Sequence, residues 1–479
     1  MKTFPFDIPS NWTWATMGEI ADVVGGGTPR TNDPENYEGG TIPWITPADL
    51  SGYTAKNISR GKRFITTKGL AGSSVRMMPS GTVLFSSRAP VGYVAIAANP
   101  VCTNQGFKSF LLKSKDILPD YLYWWLKGSK ELAESLASGT TFLELSGAKA
   151  KQLPIPLAPP RQQQSIVAEI EKQFSRLDEA IANLKRVRAN LKRYKAAVLK
   201  AAVEGKLTED WRKQHPNIEP ASKLLERILT ERRSKWKGRG KYKEPTAPDF
   251  NDLPSLPKGW TWATVDQLGA PEPNSITDGP FGSNLKTEHY KETGPRVIRL
   301  QNIGDGVFVN EEAHISEEHF ARLQKHRVFA DDLVIAALGV DPPRSCLIPK
   351  SVRHAIVKAD CVRFKPHRDA VARYLNVALN SEPTRQRTKS IVHGVGRPRL
   401  NLGEIKSIVV PLPPFAEQQS IVAEVERRLS VIDELEAAVE ANIIRADRLR
   451  QSILSAAFSG RLAVSESEIA RRANNFIAH

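Results

Sequence analysis

The chain repeats itself, and the way it repeats restricts what it can fold into. Ile8-Pro9-Ser10-Asn11-Trp12-Thr13-Trp14-Ala15-Thr16 returns 248 positions later as Leu256-Pro257-Lys258-Gly259-Trp260-Thr261-Trp262-Ala263-Thr264. Pro156-Leu157-Ala158-Pro159 runs into Gln163–Glu169, and Pro411-Leu412-Pro413-Pro414 runs into Gln418–Glu424 with the same seven residues. Both copies close alike, at Val198–Leu207 and Ile453–Leu462. The offset grows from 248 to 255, so the globular part of the second copy is seven residues longer. Between the matching ends the two inserts share little, and Asn32–Arg88 has no evident partner in the second half. A constant frame around two divergent inserts suits a scaffold carrying two different readers, whereas simple drift after duplication should not spare the helices and spoil the inserts.

Each proline block opens a long helical pattern, since proline is tolerated only at a helix start. In the first, Ile170, Leu177, Leu184, Leu191 and Val198 recur every seven residues, with Phe174, Ile181, Val187, Tyr194 and Ala201 interleaved. In the second, Val425, Ile432, Val439, Ala446 and Ile453 keep that period, with Leu429, Leu435, Asn442, Leu449 and Ala456 between them. A seven-residue apolar period of this length predicts a coiled-coil seam. About 40 residues make a helix of roughly 60 Å, which must pack on something equally long. The other copy is the obvious candidate; an oligomerisation zipper is the alternative. Antiparallel pairing would place two globular parts at opposite ends of a rod long enough to span DNA grooves recurring every ~34 Å.

The formal charge of +16 favours a polyanionic partner such as nucleic acid, although acidic proteins and anionic lipid exert the same pull. Lys185, Arg186, Arg188, Lys192, Arg193, Lys195 and Lys200 lie in a stretch of the first helix without acids, either a solvated face or a contact for phosphate or an acidic partner. Thr208–Ser255 departs from the repeat. A helix is predicted at Ala221–Trp236, with seven basic residues among Arg232–Lys243 and Pro245, Pro248 and Pro254 keeping the chain extended afterwards. Trp236 and Tyr242 among those cations suit a nucleic-acid-contacting arm; a flexible tether fits equally.

Several chemistries find no support. No GxxxxGK[ST] is present, and Gly25-Gly26-Gly27 precedes Thr28-Pro29, which stops a helix rather than opening one. His314 and His319 are five apart, which misses the zinc-protease spacings. Asp341-Pro342-Pro343-Arg344 resembles an amino-methyltransferase tetrapeptide but carries Arg344 where the base-stacking aromatic belongs. Cys102, Cys346 and Cys361 share no metal-like spacing, which argues for a reducing compartment. No apolar run is long enough for a membrane span and no signal peptide is evident, so a cytoplasmic location is expected.

The chain resembles the specificity subunits of Type I restriction-modification systems. The resemblance rests on Gly26–Pro29, Gly40–Thr46, Ser86–Gly92 and Thr103–Gly106 in the first copy, and on Asp278–Ser283 and Val297–Ile303 in the second. The Pro411–Gln419 entrance and the Ala457–Leu462 exit also match, while Gln162 stands where the second copy has Glu417, and Val203 where it has Phe458. The resemblance implies α/β (α+β) recognition domains joined by long helices: two tandem target-recognition domains with pseudo-two-fold symmetry, and an antiparallel two-helix coiled coil. The expected division is a first recognition domain over 1–155, a helix over 156–207, a linker over 208–255, a second recognition domain over 256–410, a helix over 411–463 and a tail over 464–479. It further implies that each domain reads half of a split double-stranded DNA sequence, and that the helices set the spacing and dock two methyltransferase subunits. Restriction/translocase subunits join that core. No cofactor is expected on this chain; S-adenosylmethionine, ATP and magnesium belong to partner subunits.

Polar loops entering the major groove are the expected readers. The candidates are Thr28, Arg30, Arg88, Gln105 and Thr141 in the first domain, and Arg299, Gln301, Asn302, Arg344, Arg397 and Arg399 in the second. Two other classes stay open at this level, a self-sufficient DNA enzyme and a coiled-coil adaptor without a DNA role.

Overall fold

The computed structural model describes residues 6–139, 143–238, 240–339, 342–394 and 396–462, so the expected tail over 464–479 lies outside the described residues. It divides into two compact units, one holding residues up to Lys185 and from Glu440 onward, the other Arg186–Val439. The division falls inside both long helices, Pro160–Val203 and Phe415–Phe458.

In the first unit the repeated Trp-Thr-Trp segment forms β1 (Thr13–Thr16), which pairs antiparallel with β11 (Pro154–Leu157). Aromatic and β-branched side chains suit such a half-buried pleat. This pair ties the start of the domain to the entrance of the long helix. One sheet runs in the order β2 (Ala21–Gly25), β10 (Lys108–Leu112), β7 (Val83–Ser87), β8 (Val91–Ala97), β4 (Asn57–Ile58). A second runs β5 (Arg63–Ile65), β3 (Ile42–Ile45), β9 (Val101–Thr103), β6 (Met77–Met78), with β3 and β9 parallel.

The second unit repeats this plan. β12 (Thr261–Thr264) pairs with β21 (Val409–Leu412). One sheet runs β13 (Ile276–Asp278), β20 (Cys361–Phe364), β17 (Leu333–Ala336), β18 (Arg344–Leu347). The other runs β15 (His314–Ile315), β14 (Tyr290–Ile298), β19 (Ala355–Val357), β16 (Arg327–Val328), again with its two central strands parallel. Asn32–Arg88 therefore does have a partner in the second half. The correspondence lies in topology, because a strand needs only an alternating pattern and tolerates almost complete exchange of side chains.

Each unit packs its sheets on the long helices. Ile166, Val167 and Ile170 join Ile453, Leu454, Ala457 and Phe458 in one core, where the Phe458 ring lies 5.0 Å from that of Tyr121. In the other unit Val198, Ala202 and Val203 share a core with Ile421, Val422 and Val425. The start of each helix thus lies beside the end of the other, so the pairing is antiparallel. Arg450 with Asp178 and Lys195 with Asp433 add ion pairs of the same sense. The Val425–Ile453 line is buried throughout, whereas four interleaved positions, Val187, Tyr194, Leu435 and Leu449, remain 43–48% exposed. A sustained heptad seam buries both lines; here four positions of the second line stay open.

The linker is no free tether over its helical part. Its helix is Ala221–Ser234, two residues shorter than predicted, and Ala221, Leu224 and Ile228 are buried in the second unit's core. Beyond it, Trp236 and Tyr242 stack edge to face at 5.7 Å, and Thr246 and Pro254 accept hydrogen bonds from Thr264 and Trp262 of β12. All three cysteines are buried and free.

Candidate nucleic-acid interface

Three loops meet at one end of the sheets in the first unit. The loop after β2 crosses the end of β9 so closely that a Cβ on Gly26 would stand 1.9 Å from the Asn104 carbonyl oxygen, which only glycine permits. Gly27 donates to the Thr103 carbonyl at 3.0 Å and accepts from Trp44 Nε1 at 3.0 Å. The crossing brings Thr28 and Gln105 into a hydrogen bond. The turn after β7 is held next to them, since Ser87 N donates to Gly106 O at 2.7 Å. Arg88 follows at once and faces Glu144, with Nη1 3.7 Å from Oε2. Glu144 bridges both Ser138 and Arg88. Thr141 itself lies outside the described residues. Arg30 is exposed on the same loop as Thr28. Lys108 sits beneath this corner; burial holds its ammonium below the ordinary lysine range, with Glu144 opposing and Arg88 adding to the effect.

The second unit builds the same corner with other side chains. Gly279 replaces Gly26 in the close crossing, where a Cβ would lie 2.1 Å from the Lys358 carbonyl carbon. Ala337 N donates to Asp360 O at 2.8 Å, as Ser87 does to Gly106, and Leu400 N donates to Ala337 O as Leu145 does to Ser87. Arg399 bridges His393 and Leu338, as Glu144 bridges Ser138 and Arg88. Leu338 therefore stands where Arg88 stood, and the arginine comes from the opposite strand. Its Nη2 makes a charge contact with Asp360 Oδ1 at 2.7 Å without hydrogen-bond alignment, and its guanidinium lies 5.9 Å from the Phe281 ring centroid. Arg344 opens β18 with its guanidinium close to Gly339, and Gly339 N donates to Pro398 O, so Arg344, Arg399 and exposed Arg397 gather here.

Arg299 and Gln301 follow the end of β14, beside β19, where Ile298 O accepts from Lys358 N. With its amide turned to satisfy both groups, Gln301 accepts from the Arg299 guanidinium at 3.0–3.3 Å. Asn302 corrects the expectation placed on it. It is fully buried; its Oδ1 accepts from Arg299 N at 2.8 Å, and its Nδ2 donates to Val309 O and Glu311 O at 2.9 and 2.7 Å. Such an amide organises the loop and presents nothing to a groove.

Sequence reasoning missed Phe281, Asp360 and Glu144. Phe281 lay within a quoted landmark, but Asp360 carries no local signal beyond its position in a turn at φ 68°. The His314 and His319 ring nitrogens contact the Gly294 and Asn284 carbonyl oxygens, and Ser316 caps the helix Glu317–Arg322, as expected of a surface helix start. Among the described residues no group of three or more His, Cys, Asp or Glu is placed to hold a metal ion, and no helix is long and apolar enough to cross a membrane.

This arrangement of planar, polar side chains on turns beyond strand ends can pair with base edges, arginine with guanine O6 and N7 and glutamine with adenine N6 and N7. Known proteins resemble the chain in sequence and in fold. The MjaIX specificity subunit of Methanocaldococcus jannaschii is 43% identical over 181 residues, 37% of this chain and 40% of that protein. The EcoKI specificity subunit of Escherichia coli is 25% identical over 95% of this chain and 90% of its own length. The HsdS subunit of Thermoanaerobacter tengcongensis superposes with a TM-score of 0.53 at 17% identity, covering 96% of this chain and all of that one. A chain from a solved type I R-M assembly reaches 0.63 at 18% identity with the same coverage. The profile of the Type I restriction modification DNA specificity domain matches residues 9–193 and 347–444, more than half of the sequence. The chain belongs to that family, the specificity subunits of Type I restriction-modification systems.

Proposed function

We propose that each unit of this subunit reads one half of a split double-stranded DNA sequence, that the long helices fix the gap between the halves, and that two methyltransferase subunits dock along those helices. The observation that carries the reading is the duplicated loop corner, one backbone plan bearing Thr28, Arg88 and Gln105 in one unit and Arg344, Arg397 and Arg399 in the other. Two copies of one frame with different polar tips suit two different half-sites. Docking is supported by apolar side chains left open on the helices: Val187, Tyr194, Val431 and Leu435 in one unit, Ile444 and Leu449 in the other. In this reading the chain supplies no catalytic residue and acts in the cytoplasm. S-adenosylmethionine is held by the methyltransferase subunits, and ATP with magnesium by the restriction/translocase subunits.

Exchanging residues 256–410 for those of a relative tests the division of labour. The methylated sequence should change in one half-site and keep the other; a change in both, or in neither, refutes it. Adding a heptad to both helices should lengthen the gap alone.

A further inference from the structure

The two corners share a feature that their sequences hide. Each holds an arginine against a carboxylate delivered by a different strand, at the point where three loops meet. In the first unit Arg88 comes from the hairpin turn and Glu144 from the loop strand. In the second the hairpin position is Leu338, Arg399 comes from the loop strand, and Asp360 comes from the turn before β20. The wiring is opposite and the product is the same. Arg399 is half exposed, at 51%, against 24% for Asp360. It is restrained by the carboxylate, by the Phe281 ring and by its backbone pairing with Leu338 and His393. Arg30 and Arg397 are also exposed on these loops, and among the described residues neither is held by such a carboxylate.

An arginine that contacts phosphate gains less from being fixed, because backbone oxygens accept from several directions and carry no base identity. An arginine that must present two parallel N–H groups to guanine O6 and N7 gains from losing that freedom before binding. We infer that Arg399, buttressed by Asp360 and Phe281, and Arg88, buttressed by Glu144, each read a guanine, one in each half-site, while Arg30 and Arg397 contact phosphates. This rests on the functional reading above and adds the base, the readers and their positioning residues.

The test uses the full chain assembled with its methyltransferase subunits and a panel of duplexes in which each base pair of the site is replaced singly. For the wild type, one G·C pair in the second half-site should be strongly preferred. Arg399→Lys keeps the charge and loses the fork, and should cost on the order of 10- to 100-fold on the native duplex. Discrimination should flatten at that pair alone, with the first half-site unaffected. Asp360→Asn keeps the left-handed turn and removes the charge; it should blur the same pair alone and leave the first half-site unaffected, which a merely structural carboxylate has no reason to do. Arg88→Lys should act likewise in the first half-site. Arg397→Ala should weaken every duplex alike and reduce the salt slope by about 1. Arg399→Lys weakening all duplexes uniformly, or leaving the base profile intact, overturns the inference while the split site stands. A wild-type complex that prefers no split sequence ends both readings together.

Discussion

Arg212 Nη1 lies 2.5 Å from Glu417 Oε1 in the second unit, with the carboxylate only 1% exposed. Glu417 Oε1 also accepts from Thr208 Oγ1 at 2.7 Å, and Oε2 accepts from Trp260 Nε1 at 2.8 Å. One side chain thus ties the exit of the first long helix, the repeated tryptophan and the entrance of the second helix. In the first unit Trp12 Nε1 donates to Gln162 at 2.8 Å. A neutral amide thus stands in the first unit where the second has a carboxylate with a cation beside it.

Removing Arg212 should therefore be costly. Arg212→Ala leaves a buried, uncompensated carboxylate and is expected to lower unfolding stability by about 3–5 kcal/mol, measured by denaturant titration. Gln162→Ala deletes a neutral partner of Trp12 and should cost nearer about 1–3 kcal/mol. Equal losses at the two positions contradict the account.

The repeat, the antiparallel helices and the α/β character were legible because they depend on period and punctuation. Pro159, Pro160, Pro413 and Pro414 mark helix entrances whatever surrounds them. The reading corner was only partly legible. Thr28, Arg88 and Gln105 lie in motifs and do converge. Asp360 and Glu144 act through contacts across 39 and 56 residues, which no local pattern encodes. Asn302 misled because a buried organising amide and an exposed reading amide look alike in sequence.

The two apolar lines on the second helix should behave differently. Ile432 is 1% exposed and Leu435 is 48% exposed. Ile432→Ala should lose about 2–5 kcal/mol, whereas Leu435→Ser should stay within about 0.5 kcal/mol in the chain alone. If the open line docks partners, Leu435→Ser weakens assembly with the methyltransferase subunits, visible as a larger dissociated fraction in sedimentation. An unchanged sedimentation profile removes Leu435 from the interface.

His367 gives a pH signature. Its side chain is fully buried with Nε2 3.2 Å from Glu231 Oε2, and burial outweighs that carboxylate, setting its pKa below the usual histidine value of 6.5. The unfolded chain then binds a proton more readily than the folded one. Stability is fully present above pH 6.5 and falls as pH drops from there through the lower folded value. Thermal melts of wild type and His367→Gln should converge toward acid and separate toward neutrality. Parallel curves mean the imidazole does not titrate with unfolding.

Asn302 separates architecture from reading. Its amide holds three backbone groups in the 299–311 loop, two of them carbonyls that receive its Nδ2. Asn302→Asp keeps the size but turns an acceptor toward Val309 O and Glu311 O, so it should cost about 2–4 kcal/mol and disorder the loop. The variant should lose affinity for every duplex of the base-substitution panel in the same proportion. Gln301→Ala, by contrast, removes an exposed side chain and should leave stability within about 0.5 kcal/mol. Any effect of Gln301→Ala on binding should then be confined to particular base pairs. A base-specific change from Asn302→Asp at unaltered stability would show that the amide leaves its buried site to reach DNA.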